Sequence, residues 1–290
     1  MKIFAILAML MGCQGLNGIP EARGLSEGKI HLSSNTIAQG DLGLIRVDGR
    51  RGETPRIWWM DQEVLMIPDG EGMRWQGFLG VDLNSAPGTY PLLVRPFPEA
   101  REKRVMIKVV KKDRGVRRLT LPKKMVDLDA QTLERVKEES KVLNEALDTP
   151  ASSPMWNGPF LRPVEGEVVG PFGRRSIIND QPRAPHSGVD LKAPQGTPVK
   201  AMNRGRVILT ADHFFSGKSV VIDHGGGILS MYFHLDKTMV KINDETTKGQ
   251  TIGLVGATGR ATGAHLHLGI RVNGARVDPL SLTELSRGLE

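Results

Sequence analysis

The sequence predicts a mainly β protein in which two β-rich regions are joined by a helical connector. The chain has 290 residues, enough for two domains, and it contains 34 glycines and 18 prolines, the residues that most often form turns. Short runs of Val, Ile and Leu recur between these turns at the length of strands. Only one segment shows a helical repeat. Hydrophobic residues make up 39% and charged residues 24% of the chain, a composition typical of globular proteins and not of membrane bundles.

The first residues, "MKIFAILAMLMGCQG", predict export. Lys2 precedes an apolar run over 3–11 that is too short to span a bilayer as a helix. The residues Leu10-Met11-Gly12-Cys13 at the end of this run resemble a bacterial lipoprotein signal, although Met11 stands where a small residue is more usual. We predict a lipoprotein-type signal peptide at 1–12, lipidation of Cys13, and a membrane-anchored protein of the cell envelope that faces the periplasm. An ordinary signal peptide is the alternative. Cys13 is the only cysteine, so disulfides cannot stabilise the exported protein.

The net charge of +7 is concentrated in one segment. Residues 101–124 contain eleven Lys and Arg against two acidic residues, which leaves the rest of the chain slightly acidic. Such a segment can contact an anionic polymer, such as cell-wall material, or lipid head groups. A solvated linker extended by self-repulsion is an equally good explanation. Nucleic acid is not expected as a partner, because the chain is exported and no aromatic residues interleave the basic ones.

The first β-rich region is predicted at 25–112 as a small immunoglobulin-like sandwich. Its apolar runs are "LGLIRV", "PRIWWM", "EVLMIP", "WQGFLGV", "TYPLLV" and "RVMIKVV", and the turn residues between them give the strand spacing of such a fold. We interpret Trp58, Trp59 and Trp75 as core or half-buried sheet residues. A sugar-binding platform is the less favoured alternative.

A basic and helical linker is predicted at 113–160. Asp129 is a candidate N-cap, and the side chains that follow at spacings of three and four define an amphipathic stripe of Leu133, Val136, Ser140, Leu143 and Leu147. We expect this stripe to pack on one of the two domains. The segment "DTPASSPMWNGPF" ends the helix before the second region begins.

The second region, 161–290, contains six of the seven histidines of the chain: His186, His213, His224, His234, His265 and His267. In "AHLHLGI", a strand would place His265 and His267 on one face and the neighbouring leucines on the other. A catalytic zinc site needs three protein ligands and one open position. In "PHSGVDL", His186 precedes Asp190 by four residues on a turn into a strand, so that both side chains can point to one place. A surface salt bridge is the ordinary alternative for the carboxylate.

The motifs "HSGVD", "YFHL" and "HLHLGI", in this order, resemble the lysostaphin-like, or LytM-type, zinc metallopeptidases. "GPFGRR", "APQGTPVKAMNRGRV", "VVIDHGGG" and "KGQTIGLVGATGRATGAHLH" support the resemblance, which covers roughly the last 130 residues. It implies a compact antiparallel β-sheet of the duplicated hybrid motif type with one metal in a groove. It also implies hydrolysis of cross-links or stem peptides of peptidoglycan.

The resemblance makes His186, Asp190 and His267 the ligands of one Zn2+ per chain, and His234 and His265 the catalytic histidines that do not bind metal. Zinc then activates a water, one of these two histidines takes its proton, and the peptide carbonyl is attacked. Which histidine is the base stays open, as do the bond cleaved and the oligomeric state.

Other side chains of this region receive secondary interpretations. We interpret His224 as structural or groove-lining, and His213 with the adjacent phenylalanines as a groove wall. Arg174 is a candidate contact for an anionic stem peptide.

Two competing functions belong to other classes. A LytM-type regulator that activates other wall hydrolases, catalytically silent or latent, is the main alternative. An adhesion module centred on the first region is a weaker one. Because the complete set of ligands and catalytic histidines is present, the sequence favours the enzyme.

Overall fold

The fold is described from a computed structural model, which covers residues 28–120, 128–148 and 150–289. The predicted signal peptide and Cys13 lie outside the described residues. No helix in these ranges is long and apolar enough to cross a membrane.

The first region contains nine short strands in two sheets. They are β1 (Ile30–Leu32), β2 (Thr36–Ala38), β3 (Leu42–Asp48), β4 (Arg56–Trp59), β5 (Gln62–Glu63), β6 (Ile67–Pro68), β7 (Arg74–Gly80), β8 (Gly88–Arg95) and β9 (Lys103–Val110). One sheet has the order β1-β3-β7-β6 and the other β2-β9-β8-β4-β5. Trp59 and Trp75 are buried in the core of this region, with Ile57, Leu79 and Ile107, whereas Trp58 is only half-buried. The immunoglobulin type of this arrangement is not confirmed and stays a prediction.

One predicted strand of this region is wrong in detail. The run "EVLMIP" forms β5, which pairs with β4 in one sheet, and β6, which pairs with β7 in the other. Between these two strands Val64 and Met66 are buried in the core. The chain therefore crosses from one sheet to the other inside this run, and an apolar pattern alone does not distinguish a crossing segment from a continuous strand.

The connector contains the predicted helix, α1 (Ala130–Asp148), and a strand that the sequence analysis missed, β10 (Val116–Leu119). Asp129 caps the helix, since its Oδ1 accepts a hydrogen bond of 2.7 Å from the N–H of Thr132. Leu147 is buried against a patch of the second region, while Leu133 at the other end of the predicted stripe is exposed. Only the C-terminal half of the stripe thus packs on a sheet.

The second region forms a large antiparallel sheet with the order β11-β14-β21-β18-β17-β16-β19, as the resemblance implied. Its elements are β11 (Val168–Gly170), β12 (Arg175–Ile178), β13 (Gln181–Pro182), β14 (Gly188–Lys192), β15 (Pro198–Lys200), β16 (Gly205–His213), β17 (Gly217–Asp223), β18 (Ile228–Thr238), β19 (Glu245–Thr246), β20 (Thr251–Val255), β21 (His265–Val272), β22 (Ala275–Val277), α2 (Pro279–Leu285) and a 3-10 turn (Ser286–Gly288). The strand β10 of the connector lies outside this sheet and pairs with β12.

The two regions share one hydrophobic core. Leu42, Leu44, Phe78 and Leu83 of the first region belong to the same buried cluster as the interior of the large sheet. At the edge of this contact the Arg276 guanidinium donates two hydrogen bonds, of 2.7 and 2.9 Å, to the carboxylate of Asp82. The first region is therefore packed against the second rather than tethered to it.

Candidate metal centre

Two adjacent strands of the large sheet carry three of the predicted site residues. β14 and β21 are antiparallel neighbours, with Asp190 opposite His267 and Lys192 opposite His265. Directly opposed residues of a pair project from the same face of a sheet, and the alternate residues, such as Leu191 and Leu266, are fully buried on the other face. The prediction that both histidines of "HLH" share one face is therefore confirmed.

His186 reaches the same place from the loop before β14. Its backbone N–H donates to the carbonyl of Arg174 at 3.0 Å, and its own carbonyl accepts from the N–H of Gly173 at 2.8 Å. The ring Nδ1 lies 3.2 Å from the carbonyl oxygen of Pro171. Because a carbonyl only accepts, Nδ1 carries the proton, and Nε2 is left as the ligand nitrogen.

The ligand atoms of His186, Asp190 and His267 converge on one point. His186 Nε2 lies 3.0 Å from His267 Nδ1 and 3.1 Å from Asp190 Oδ1, and His267 Nδ1 lies 2.9 Å from Asp190 Oδ1. Tetrahedral zinc with bonds of about 2.0–2.1 Å separates its ligands by roughly 3.3 Å. Two imidazole nitrogens and a carboxylate oxygen at nearly this separation fit a catalytic zinc ion.

The protonation states of these residues also suit a metal. Burial raises the pKa of the Asp190 carboxyl, but its interactions with the imidazoles of His186 and His267 outweigh burial and hold the pKa below its usual range. Burial lowers the pKa of His267. A carboxylate that stays ionised and an imidazole that stays neutral are the forms that bind zinc.

His234 and His265 lie beside the three ligands and are oriented by backbone carbonyls. His234 Nδ1 is 2.9 Å from the carbonyl oxygen of Thr258, and His265 Nδ1 is 2.8 Å from that of Gly263. In each ring Nδ1 therefore donates, and Nε2 is the free nitrogen. The two ring centroids are 4.8 Å apart, and His265 Nε2 lies 3.7 Å from Asp190 Oδ1. Burial lowers the pKa of His234 to about 4.

Two glycines next to the ligands were not singled out from the sequence. A Cβ on Gly170 would overlap the Asp190 carboxylate, and a Cβ on Gly188 would lie 2.6 Å from His267 Nε2. Both glycines belong to motifs of the resemblance, "GPFG" and "HSGVD", which is the signal that could have found them. They leave the space that the ligands occupy.

The secondary interpretations have different outcomes. His224 is completely buried and bonds to the carbonyl of Arg204 and the hydroxyl of Ser230, so it is structural. Phe214 and Phe215 contact each other edge to face next to His213. Arg174 holds His186 through its carbonyl, and its contact with a stem peptide stays a prediction.

Comparison with known proteins gives the family. The model of peptidase family M23 matches residues 184–279, which include all five predicted site residues. A crystal structure assigned to peptidase M23, from Pseudomonas aeruginosa, is 34% identical over 86% of this chain and 95% of that chain, with a TM-score of 0.66. The chain belongs to peptidase family M23. This confirms the family resemblance and the fold of the second region.

Two curated relatives of this M23 chain are named as peptidases, and the name of one of them includes peptidoglycan. Peptidoglycan DD-endopeptidase ShyA of Vibrio cholerae is 44% identical over 97 residues, which are 33% of this chain and 23% of that protein. DD-carboxypeptidase/endopeptidase Mpg of Neisseria meningitidis is 37% identical over 119 residues, 41% of this chain and 27% of that protein. The chain thus spans about a quarter of the length of these relatives.

Proposed function

We propose that this M23 chain is a zinc metalloendopeptidase that hydrolyses peptide bonds in peptidoglycan. The observation that carries the proposal is the convergence of His186, Asp190 and His267, with two further imidazoles on the same side. The names of the relatives, a peptidoglycan DD-endopeptidase and a DD-carboxypeptidase/endopeptidase, support the substrate class. The regulator is not favoured, because the described site has a complete ligand set and both catalytic histidines.

A zinc ion held by the three ligands would polarise a water and the scissile carbonyl, and would bring the pKa of that water towards neutrality. We assign proton uptake from the water to Nε2 of His265. This nitrogen lies beside the ligand set, and the ring is fixed by its bond to Gly263. The protonated His265 then returns the proton to the leaving nitrogen.

His234 has a different role in this scheme. Its protonated form is costly because the ring is buried, which makes it a poorer base near neutral pH. Held by the carbonyl of Thr258, its neutral Nε2 accepts a hydrogen bond and orients the attacking water.

Export and lipid anchoring through Cys13 complete the proposal, because they would bring the enzyme to its substrate. They rest on the sequence of residues 1–13 alone. The bond that is cleaved would be identified by mass analysis of the fragments released from purified sacculi.

The test compares substitutions at two positions that lie two residues apart on one face of β21. His267→Ala should lose both bound zinc and hydrolysis of sacculi, because it removes a ligand. His265→Ala should keep zinc and lose hydrolysis, because its ring is not among the three ligands. His31→Ala, in the first region, is the control that should keep both. Zinc-loaded wild type that releases no fragment would contradict the proposed activity.

A further inference from the structure

The connector brings an arginine to the hairpin that leads into the metal centre. β10 pairs in parallel with β12, with Arg117 opposite Ser176, and β12 pairs with β13. The N–H of Arg183 donates to the carbonyl of Ser176 at 2.9 Å, which extends the pairing of β12 with β13 by one residue. Residues opposed across neighbouring strands share a face. Arg117, Ser176 and Arg183 therefore form a row on one face, with strands about 4.8 Å apart.

A third arginine, Arg260, lies in the loop between β20 and β21, which also supplies the Thr258 carbonyl that contacts His234. The Arg260 guanidinium lies over the ring of Phe215, 4.1 Å from its centroid, and the backbone N–H of Arg260 donates to the carbonyl of Phe215 at 2.9 Å. Burial, and then repulsion from the nearby charge of Arg183, lower the pKa of Arg260. The side chains of Arg183 and Arg260 are thus close enough for their charges to interact.

These three arginines lack an acidic partner among the residues that the structure describes. The Arg183 guanidinium bonds only to the amide oxygen of Gln181, at 3.0 Å, and no ion pair is formed by Arg117 or Arg260 within the described ranges. All three residues are exposed, although the Arg260 guanidinium is covered on one side by the ring of Phe215. Like charges held close together without a counter-charge are unfavourable, and a bound anion relieves this cost.

Two of the three arginines are close in sequence to residues of the metal centre, where the substrate would bind. Arg183 precedes the ligand His186 by three residues, and Arg260 precedes His265 by five. The loop of Arg260 also contains Thr258, whose carbonyl orients His234. Arg183 and Arg260 therefore lie on two of the segments that build the metal centre. A peptide with its scissile carbonyl at the metal centre would extend its neighbouring residues along this wall, at about 3.3 Å per residue.

We propose that Arg117, Arg183 and Arg260 bind carboxylates of an acidic peptide substrate next to the scissile bond. A guanidinium matches a carboxylate with two parallel hydrogen bonds, which is why this ligand class fits the row. Arg117 lies outside the M23 match at 184–279, so the connector contributes to specificity. The inference rests on the proposed peptidase function, because it assigns the row to the same substrate.

The test compares two synthetic cross-linked peptides, one with free carboxylates and one with the same groups amidated. Full-length zinc-loaded protein is assayed with Arg117→Gln, Arg183→Gln and Arg260→Gln. Each variant should raise KM for the acidic peptide by about five- to tenfold, because it loses a charged hydrogen bond. It should leave kcat for the acidic peptide, and both KM and kcat for the amidated peptide, unchanged. Arg206→Gln, an exposed arginine on β16, is the control and should match wild type.

Binding to the metal-free protein, measured by fluorescence anisotropy with the same labelled peptides, gives a readout independent of turnover. The acidic peptide should bind more weakly to each variant, by a similar factor. An unchanged KM and affinity in Arg117→Gln overturns the proposal, as does an equal loss of affinity for the amidated peptide. If wild type cleaves neither peptide, the proposed function fails, and the anisotropy measurement alone decides whether the row binds carboxylates.

Discussion

Protonation of the buried His224 is expected to destabilise the peptidase fold below neutral pH. The imidazole is completely buried, with Nδ1 at 2.9 Å from the carbonyl of Arg204 and Nε2 at 2.7 Å from the hydroxyl of Ser230. Burial lowers its pKa from 6.5 to about 4. The unfolded chain therefore binds a proton at a higher pH than the folded chain does. The free energy of unfolding should fall as the pH drops from about 6.5 to 4, by about 3 kcal/mol at ~1.4 kcal/mol per pKa unit.

The measurement is urea denaturation of wild type and His224→Gln between pH 4 and 8, in EDTA so that loss of metal does not contribute. Glutamine does not titrate, so the stability difference between the two proteins should shrink by up to about 3 kcal/mol towards pH 4. Groups that titrate equally in both proteins cancel. Ser219→Ala is the control: this buried hydroxyl bonds to the carbonyl of Gly217 and not to His224, so its loss should lower stability but keep the wild-type pH dependence. If His224→Gln kept that dependence as well, the buried imidazole would not be its source.

Two further predictions concern the metal centre and the connector. Gly170→Ala should weaken zinc binding by roughly 10–100-fold, because the added methyl displaces the Asp190 carboxylate. Competition with a chelator measures this affinity. The control is Gly263→Ala, whose Cβ would meet open space and which should bind zinc normally. Leu147→Ala should lower the free energy of unfolding by about 2–3 kcal/mol, because it leaves a cavity under α1. The exposed Leu133→Ala should change it by less than about 0.5 kcal/mol, and equal effects of the two substitutions in urea denaturation would refute this packing.

Strand geometry explains why part of the site comes together. His265 and His267 share a face because strand side chains alternate, and the pairing of β14 with β21 places Asp190 opposite His267. The family resemblance supplied what alternation cannot, namely that His186, Asp190 and His267 meet although they come from separate segments of the chain. The assignment of ligand and catalytic roles rests on that resemblance and is tested by the variants of β21.

The groups that orient the site residues could not be predicted in the same way. Pro171 and Thr258 act through their carbonyl oxygens, and every residue has a carbonyl. Their selection depends on loop geometry that residue type does not encode. β10 was missed for a related reason, because "VRRL" is short and charged and its partner β12 lies more than fifty residues away.

The position of β10 changes how the basic segment is understood. Part of the positive charge counted over 101–124 belongs to β9 of the first region, and part lies on β10 against the hairpin of the metal centre. The helix α1 of the connector also holds the loop of Phe214, whose N–H donates to Glu139 at 2.7 Å. That loop also supplies Phe215, which supports Arg260.

The connector therefore contacts two segments of the second region, the hairpin of β12 and the loop of Phe214, and the charge on β10 is presented at fixed positions instead of along a free chain. Fixing matters because a guanidinium on a flexible segment loses conformational entropy when it binds, whereas one held in a sheet has already lost part of it. Two strand spacings of about 4.8 Å separate Arg117 from Arg183, a span that three extended peptide residues cover. If the proposed carboxylate contacts form, a connector held in this way binds acidic peptides at a lower entropic cost than an extended tether would.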